Sequence, residues 1–346
     1  MESKTKIIVD EGRIRRLVER NFGSQVVVDT ITPLDNGMMN SVYLLSFRET
    51  VRGCKEMVLK LSFGKDADVL SYEAQIMRAE VEVYQKLERK DIPIPKLICY
   101  DFSQRIIECD CFFTSKIDGV LWGEVQKEIG LDNLERLKKE LGRYNAVIHS
   151  VKNDCFGYIK EDRAWCFDTW SGAFGFMMDK IMEDGRKRGY DLPYESIRQT
   201  LNGYKDVLDE VKEPRLVDFD LWAGNVLLRK EEGEYRISGI IDFERAYFGD
   251  PYADFIASFG IYEDIETESA FIDGYSEEAG SKLEISYNDR MRMKLYRIYM
   301  DLLLAIETYR FDDTYRKHVL ENIKIELLQL LNSLNENLKC HCSVPK

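Results

Sequence analysis

The chain of 346 residues contains no apolar run near the roughly 18 residues that a membrane-crossing helix requires. Its opening stretch, "MESKTKIIVDEGRIRR", has no apolar core followed by a small-residue cleavage site, so no signal peptide is expected. Positive charge is scarce, with 49 Lys and Arg against 62 Asp and Glu and a net charge of −13. Nucleic acid and anionic membrane both need a basic surface, so neither is expected as a partner. An acidic balance is weakly compatible with a cationic small molecule, and taken alone it reads first as a surface that aids solubility. Eight cysteines stand apart at positions 54, 99, 109, 111, 155, 166, 340 and 342. They form no dense framework in a small chain, which predicts reduced thiols and a cytoplasmic protein. The tail "CHCSVPK" reads either as a loose terminus or as metal ligands through Cys340, His341 and Cys342. Repeats and low-complexity linkers are also missing.

The length is that of about two domains, and the residue pattern divides accordingly. Asp10 caps a short amphipathic helix through Ile14, Leu17 and Phe22. The stretch "QVVVDTITPLDNGMMNSVYLLSF" places two β-rich runs around the turn signal "DNG", and "EMVLKLSF" adds a third strand. "SYEAQIMRAEVEVYQKLERK" predicts a helix that ends before Pro93 and Pro95. Two further strands are expected around "RIIECDCFFTSKID". Beyond Gly119 the pattern turns helical, with Leu134, Leu137, Leu141 and Ile148 at helical spacing. The expected architecture is α+β: an antiparallel β-rich unit with one main helix over 1–116, then a larger, mostly helical unit over 117–346.

The chemistry centres on "LVDFDLWAGNVLL". Buried carboxylates are normally paired, hydrogen-bonded or metal-bound, yet this apolar run carries Asp218, Asp220 and Asn225. Downstream, "RISGIIDF" is a strand pattern ending in Asp242. Asp220, Asn225 and Asp242 thus fall at the ends of short apolar segments, where their oxygens can converge. Such a donor set suits Mg²⁺, which takes one or two carboxylates and leaves room for phosphate oxygens. A neighbouring aspartate can then orient a hydroxyl and take its proton, as in phosphoryl transfer.

The spacing D-x-x-x-x-N followed by a strand-end Asp resembles the aminoglycoside phosphotransferase and choline-kinase-like family, whose fold resembles that of protein kinases. The family pattern is H-G-D-L-x-x-x-N; here Asp218 and Phe219 replace the histidine and glycine. The resemblance implies a protein-kinase-like fold, Asp220 as catalytic base, Asn225 and Asp242 as Mg²⁺ ligands, and Asp254 of "GDPYADF" as a brace for the loop. It also implies a nucleotide site in the first unit. Gly37, Asn40 and Ser41 would belong to a hairpin over the phosphates, and Lys60 would contact them. Glu80 would be the partner of Lys60, with Glu73 as competitor, and the backbone from Ser115 to Ile117 would read the purine. His149 is expected to pack as a core histidine, and Trp222 either lines the acceptor cleft or packs.

These implications describe an enzyme, a small-molecule kinase using ATP or GTP. The acceptor would be amine-bearing, such as an aminoglycoside or amino sugar. Asp301, Glu307, Asp312, Asp313, Asp179, Glu183 and Asp184 would receive its amines, or else form the outward faces of amphipathic helices. Two alternatives stay open. One is a housekeeping kinase for a fructosamine, choline or a similar alcohol, to which the Trp222 of "DLWAGN" inclines. The other is a non-catalytic nucleotide-binding pseudokinase, suggested by Asp218 and Phe219.

Overall fold

A computed structural model describes residues 5–34, 39–64, 66–256, 261 and 264–342, with the side chains of 339–342 excepted. In chain order the elements are α1 (Glu11–Phe22), β1 (Val28–Leu34), β2 (Ser41–Val51), β3 (Cys54–Leu61), α2 (Ile76–Leu87), β4 (Leu97–Asp101) and β5 (Cys111–Ser115). There follow β6 (Val120–Leu121), α3 (Trp122–Val125), α4 (Leu131–His149), β7 (Gly157–Tyr158), α5 (Trp170–Lys187), α6 (Tyr194–Gly203), α7 (Lys205–Leu208) and β8 (Arg215–Val217). The chain closes with β9 (Val226–Glu231), β10 (Glu234–Ile240), β11 (Tyr247–Gly249), α8 (Ser269–Ala279), α9 (Tyr287–Ile306) and α10 (Asp313–Cys342). The Gly37 turn and the Cys340–His341–Cys342 side chains lie outside the described residues.

Two compact units result. The first comprises the stretches up to Val69, Gln75–Asn133 and Gly224–Arg245; the second comprises Leu70–Ala74, Leu134–Ala223 and the chain from Ala246.

In the first unit an antiparallel sheet runs in the order β1-β2-β3-β5-β4. Its apolar positions Leu45, Phe47, Met57, Leu59 and Phe113 form one buried cluster with Ile14, Leu17 and Val18 of α1. That helix starts where the sequence placed it, with the Asp10 carboxylate accepting the Arg13 N–H at 3.0 Å. A second sheet, β10-β9-β6, is built on a hairpin whose turn residues Glu232 and Gly233 both have positive φ, 52° and 93°. That is the twist-matched turn of a two-residue loop.

The expected helix over 71–90 begins later, at Ile76. Residues 70–74 are instead spent on polar anchors within the second unit. The Asp184 carboxylate accepts the Ser71 N–H at 2.6 Å and its hydroxyl at 2.9 Å, and Glu73 pairs with Arg310. Lys160 donates to the carbonyls of Tyr72, at 2.6 Å, and Ala74.

The second unit holds the small sheet β7-β11-β8 among α4 to α10. A buried network orders its centre. Asp250 accepts from Arg292 Nε at 2.8 Å and from the Tyr296 hydroxyl at 2.7 Å, and Trp170 Nε1 donates to that hydroxyl at 2.7 Å. No helix among the described residues is long and apolar enough to cross a membrane.

One expectation fails here: Cys155 and Cys166 are joined in a disulfide rather than both reduced. Phe156 and Phe167 exchange both backbone hydrogen bonds at 2.9 Å, and this bridge brings the adjacent cysteines to a Cα–Cα separation of 5.5 Å. That lies within the span a disulfide requires. Nothing in the spacing of scattered cysteines encodes such a bridge. Closing a loop of this size is worth about 2–3 kcal/mol. Reduction, or Cys155→Ser, is therefore expected to lower the urea midpoint by that equivalent, and an unchanged midpoint would contradict the pairing.

Candidate active site

Lys60 lies near the end of β3, opposite Val42 of β2 and Phe112 of β5 in a ladder that is buried on both sides of it. A lysine enclosed in this way needs acceptors, and it has three. Its Nζ donates to Asp242 Oδ1 at 2.6 Å, Glu80 Oε2 at 2.7 Å and Glu244 Oε2 at 3.1 Å. Burial by itself favours the neutral amine. The combined charge of Asp242, Glu80 and Glu244 outweighs it and holds the ammonium well above its ordinary range.

Glu80 reaches Lys60 from the buried face of α2, and Tyr84 one turn on donates to its second oxygen at 3.4 Å. Burial pushes the Glu80 carboxyl up to about 7, against the pull of Lys60 and with the repulsion of Asp242. The competitor Glu73 is engaged elsewhere, with Arg310 and Tyr309 of the second unit.

The β9–β10 hairpin brings the backbone of Asn225 beside the residue before Asp242. Its register pairs Val226 with Ile240, so the residues just outside the open end, Asn225 and Ile241, sit side by side, and Ile241 N–H donates to the Asn225 carbonyl at 3.0 Å. Asp242 then turns with φ +70°, a left-handed conformation that non-glycine residues adopt at a cost of about 1 kcal/mol or more.

Glu244 went unnoticed in the sequence. It is a second carboxylate two positions beyond Asp242, and the left-handed turn at Asp242 followed by the turn at Glu244 brings it back onto Lys60. The oxygens of Glu80, Asp242 and Glu244 lie within 4.8 Å of one another. One ammonium against three carboxylates leaves a formal charge of −2 (+1 − 3) when all are ionised. All-oxygen donors with a surplus of two negative charges fit a hard divalent cation such as Mg²⁺.

The remaining first-unit residues are placed as follows. The Asn40 amide donates to Glu244 Oε2 at 2.5 Å. The Ser41 hydroxyl donates to the Ile7 carbonyl at 2.6 Å. Ser115 closes β5 and exchanges hydrogen bonds with Lys96, and Ile117 follows in the coil before β6, packed close to Gly239.

Asp220 belongs to the second unit, in the loop after β8, half-buried, with its carbonyl accepting the Trp222 N–H at 3.0 Å. That loop is held from below by one carboxylate. Asp254 accepts from the backbone N–H of Phe219 at 2.6 Å and of Asp218 at 3.2 Å. It also meets Asn145 Nδ2 at 3.0 Å and His149 Nε2 at 2.8 Å. The other ring nitrogen of His149 lies 2.9 Å from the Tyr275 hydroxyl, so this histidine is a satisfied core residue as read from the sequence.

A family model described as the phosphotransferase enzyme family matches residues 30–296. The chain belongs to this family. A search of curated proteins gave no match. Among solved structures, a provisionally assigned aminoglycoside phosphotransferase from Ralstonia eutropha is similar with a TM-score of 0.64 at 11% identity, covering 94% of this chain and 98% of that one. A provisionally assigned fructosamine-3-kinase from Haemophilus somnus gives 0.62 at 17% identity, covering 93% and 96%. The gentamicin complex of APH(2″)-IIa gives 0.58 at 16%, covering 93% and 97%. Identities this low establish the fold, which is the expected kinase-like α+β fold.

Within this phosphotransferase, Phe219 takes the place of the family glycine, and its φ is +59°, the left-handed region that a glycine would enter freely. The strain of about 1–2 kcal/mol is offset by a fully buried ring, packed 5.3 Å from Tyr247 and 5.8 Å from Tyr299. Losing such a ring costs about 3–5 kcal/mol, so packing wins over strain. Phe219→Gly is expected to destabilise the protein by roughly 2–3 kcal/mol in chemical denaturation, and a more stable variant would refute this balance.

Proposed function

We propose that this phosphotransferase moves the γ-phosphate of ATP or GTP to a hydroxyl of a small amine-bearing molecule, such as an aminoglycoside or amino sugar. The observation that carries the reading is the caged Lys60: a fixed ammonium beside oxygen donors whose charge calls for a divalent cation. In this reading the first unit holds the nucleotide. Lys60 grips the phosphates and Glu80 fixes the direction of Lys60. The backbone at Ser115 and Ile117 receives the base. Asn225 and Asp242 would hold Mg²⁺, which when bound offsets the charge of the phosphate oxygens.

Asp220 orients the acceptor hydroxyl and takes its proton as the phosphoryl group transfers. Its loop is kept in place by Asp254, so the carboxylate does not have to be ordered at each turnover. Asp218 and Phe219 do not loosen that support, since the Asp254 bonds run to their backbone N–H groups, which any residue but proline supplies. This favours the catalytic reading over a nucleotide-binding pseudokinase.

Several of the carboxylates considered for the acceptor amines serve other ends. Asp184 holds Ser71, Glu307 accepts from the Tyr72 hydroxyl, and Asp301 is buried against Arg297 with its carboxyl pushed by burial to about 7. Asp179 is paired with Arg198 and Glu183 with Lys180, in partly exposed pairs that an incoming amine can open at small cost. Asp312 caps the start of α10, and the exposed Asp313 pairs with Arg316. An amine-bearing acceptor is supported by the acidic balance and by similar folds that bind gentamicin and streptomycin. A fructosamine-type acceptor is the second reading, favoured by Trp222 in the Asp220 loop and by the fold shared with the fructosamine-3-kinase.

The test is ³¹P NMR of MgATP and MgGTP with pooled aminoglycosides, amino sugars, glycated amines and amino alcohols. Wild type is expected to give a new phosphoester signal. Asp220→Asn should reduce its rate by about 10²-fold or more while keeping nucleotide affinity. Equal rates would remove Asp220 from the role of base. A folded, nucleotide-binding wild type without any signal would favour the non-catalytic reading.

A further inference from the structure

The surroundings of Asn40 disagree with the role its sequence position suggests. It sits just before β2, 4% exposed, and its amide nitrogen is anchored on Glu244, a residue 204 positions away in the chain. A carboxylate only accepts hydrogen bonds, so Glu244 fixes which way the amide faces: nitrogen toward Glu244, oxygen away. Turning the amide over would set two acceptor oxygens against each other. The oxygen left over, Asn40 Oδ1, is buried and has no hydrogen-bond partner among the described residues. Phosphate oxygens are acceptors too and cannot satisfy it. With the residue this enclosed, little surface remains from which its second N–H could reach a phosphate.

Resting on the kinase reading above, we propose that Asn40 is a positioning residue for Glu244 rather than a phosphate ligand. The Asn40–Glu244 hydrogen bond ties the start of β2 to the Asp242 segment and restrains Glu244 as an acceptor for Lys60. The same Glu244 oxygen serves both donors. Sharing it weakens its hold on the ammonium, and the Lys60–Glu244 contact is the longest of the three, at 3.1 Å against 2.7 and 2.6 Å. Lys60 therefore stays on Glu80 and Asp242, aligned for a nucleotide, instead of being drawn toward Glu244. Asn40 does not touch the transferred group in this scheme; it acts through Glu244, which faces Lys60.

A double-mutant cycle separates the tie from a direct phosphate contact. MgATP affinity is measured by calorimetry for wild type, Asn40→Asp, Glu244→Gln and the double variant, with the melting temperature of each ligand-free protein. Asn40→Asp alone sets two carboxylates face to face and should weaken MgATP binding by about tenfold or more. In the Glu244→Gln background the glutamine amide can donate to the new carboxylate, so the added cost should fall to within about threefold. The same cost in both backgrounds would mean that residue 40 meets the phosphates directly, and would overturn the proposal. No cost in either background would overturn it as well. A wild type that fails to bind MgATP would instead refute the kinase reading. The melting temperatures then decide the tie on their own: a drop with Asn40→Asp that disappears in the Glu244→Gln background supports it, and equal shifts in both backgrounds contradict it.

Discussion

An ammonium group enclosed by protein is unfavourable unless charge of the opposite sign surrounds it, and Lys60 is surrounded three times over. Much of the first unit is arranged to deliver those carboxylates. The central strand β3 carries the lysine into the sheet. The buried face of α2 brings Glu80, and the β9–β10 hairpin ends where Asp242 turns back. Three carboxylates exceed what one ammonium neutralises, so the cluster is satisfied as a fold and incomplete as a charge arrangement. That incompleteness is what a metal–nucleotide complex would use.

The second unit solves a different problem, that of keeping fixed the loop that carries Asp220, the carboxylate proposed as base. Asp254 does this with bonds to backbone N–H groups, so the identity of the residues it holds matters little. This explains how the loop accommodates Asp218 and Phe219 where its family carries histidine and glycine. The left-handed turn survives, and the phenyl ring compensates for its strain by filling space between Tyr247 and Tyr299.

Much of this was legible in the sequence because kinase chemistry imposes an order along the chain: strand lysine, helix glutamate, D-x-x-x-x-N and strand-end aspartate. What remained illegible depended on partners far away in sequence. Glu73 and Glu80 read alike on one helical stretch, and Arg310 and Tyr309 distinguish them by claiming Glu73. The same claim, with Asp184 and Lys160, delays the start of α2. Asp301 and Glu307 read as open carboxylates on amphipathic helices, yet both are buried against Arg297 and Tyr72. Glu244 falls outside the motif, which ends at Asp242. The disulfide depends on a two-residue bridge that carries no spacing signature.

The central claim is that the surplus charge around Lys60 seats a divalent cation with its nucleotide. Electron paramagnetic resonance of preformed Mn²⁺–ATP titrated with protein reads this directly, since the signal broadens further when the complex is held by the protein, against a protein-free Mn²⁺–ATP baseline. The account predicts one Mn²⁺–ATP site in wild type, weakened by about tenfold or more in Asp242→Asn, where the surplus falls from −2 to −1. Equal Mn²⁺–ATP affinity in wild type and Asp242→Asn would contradict it.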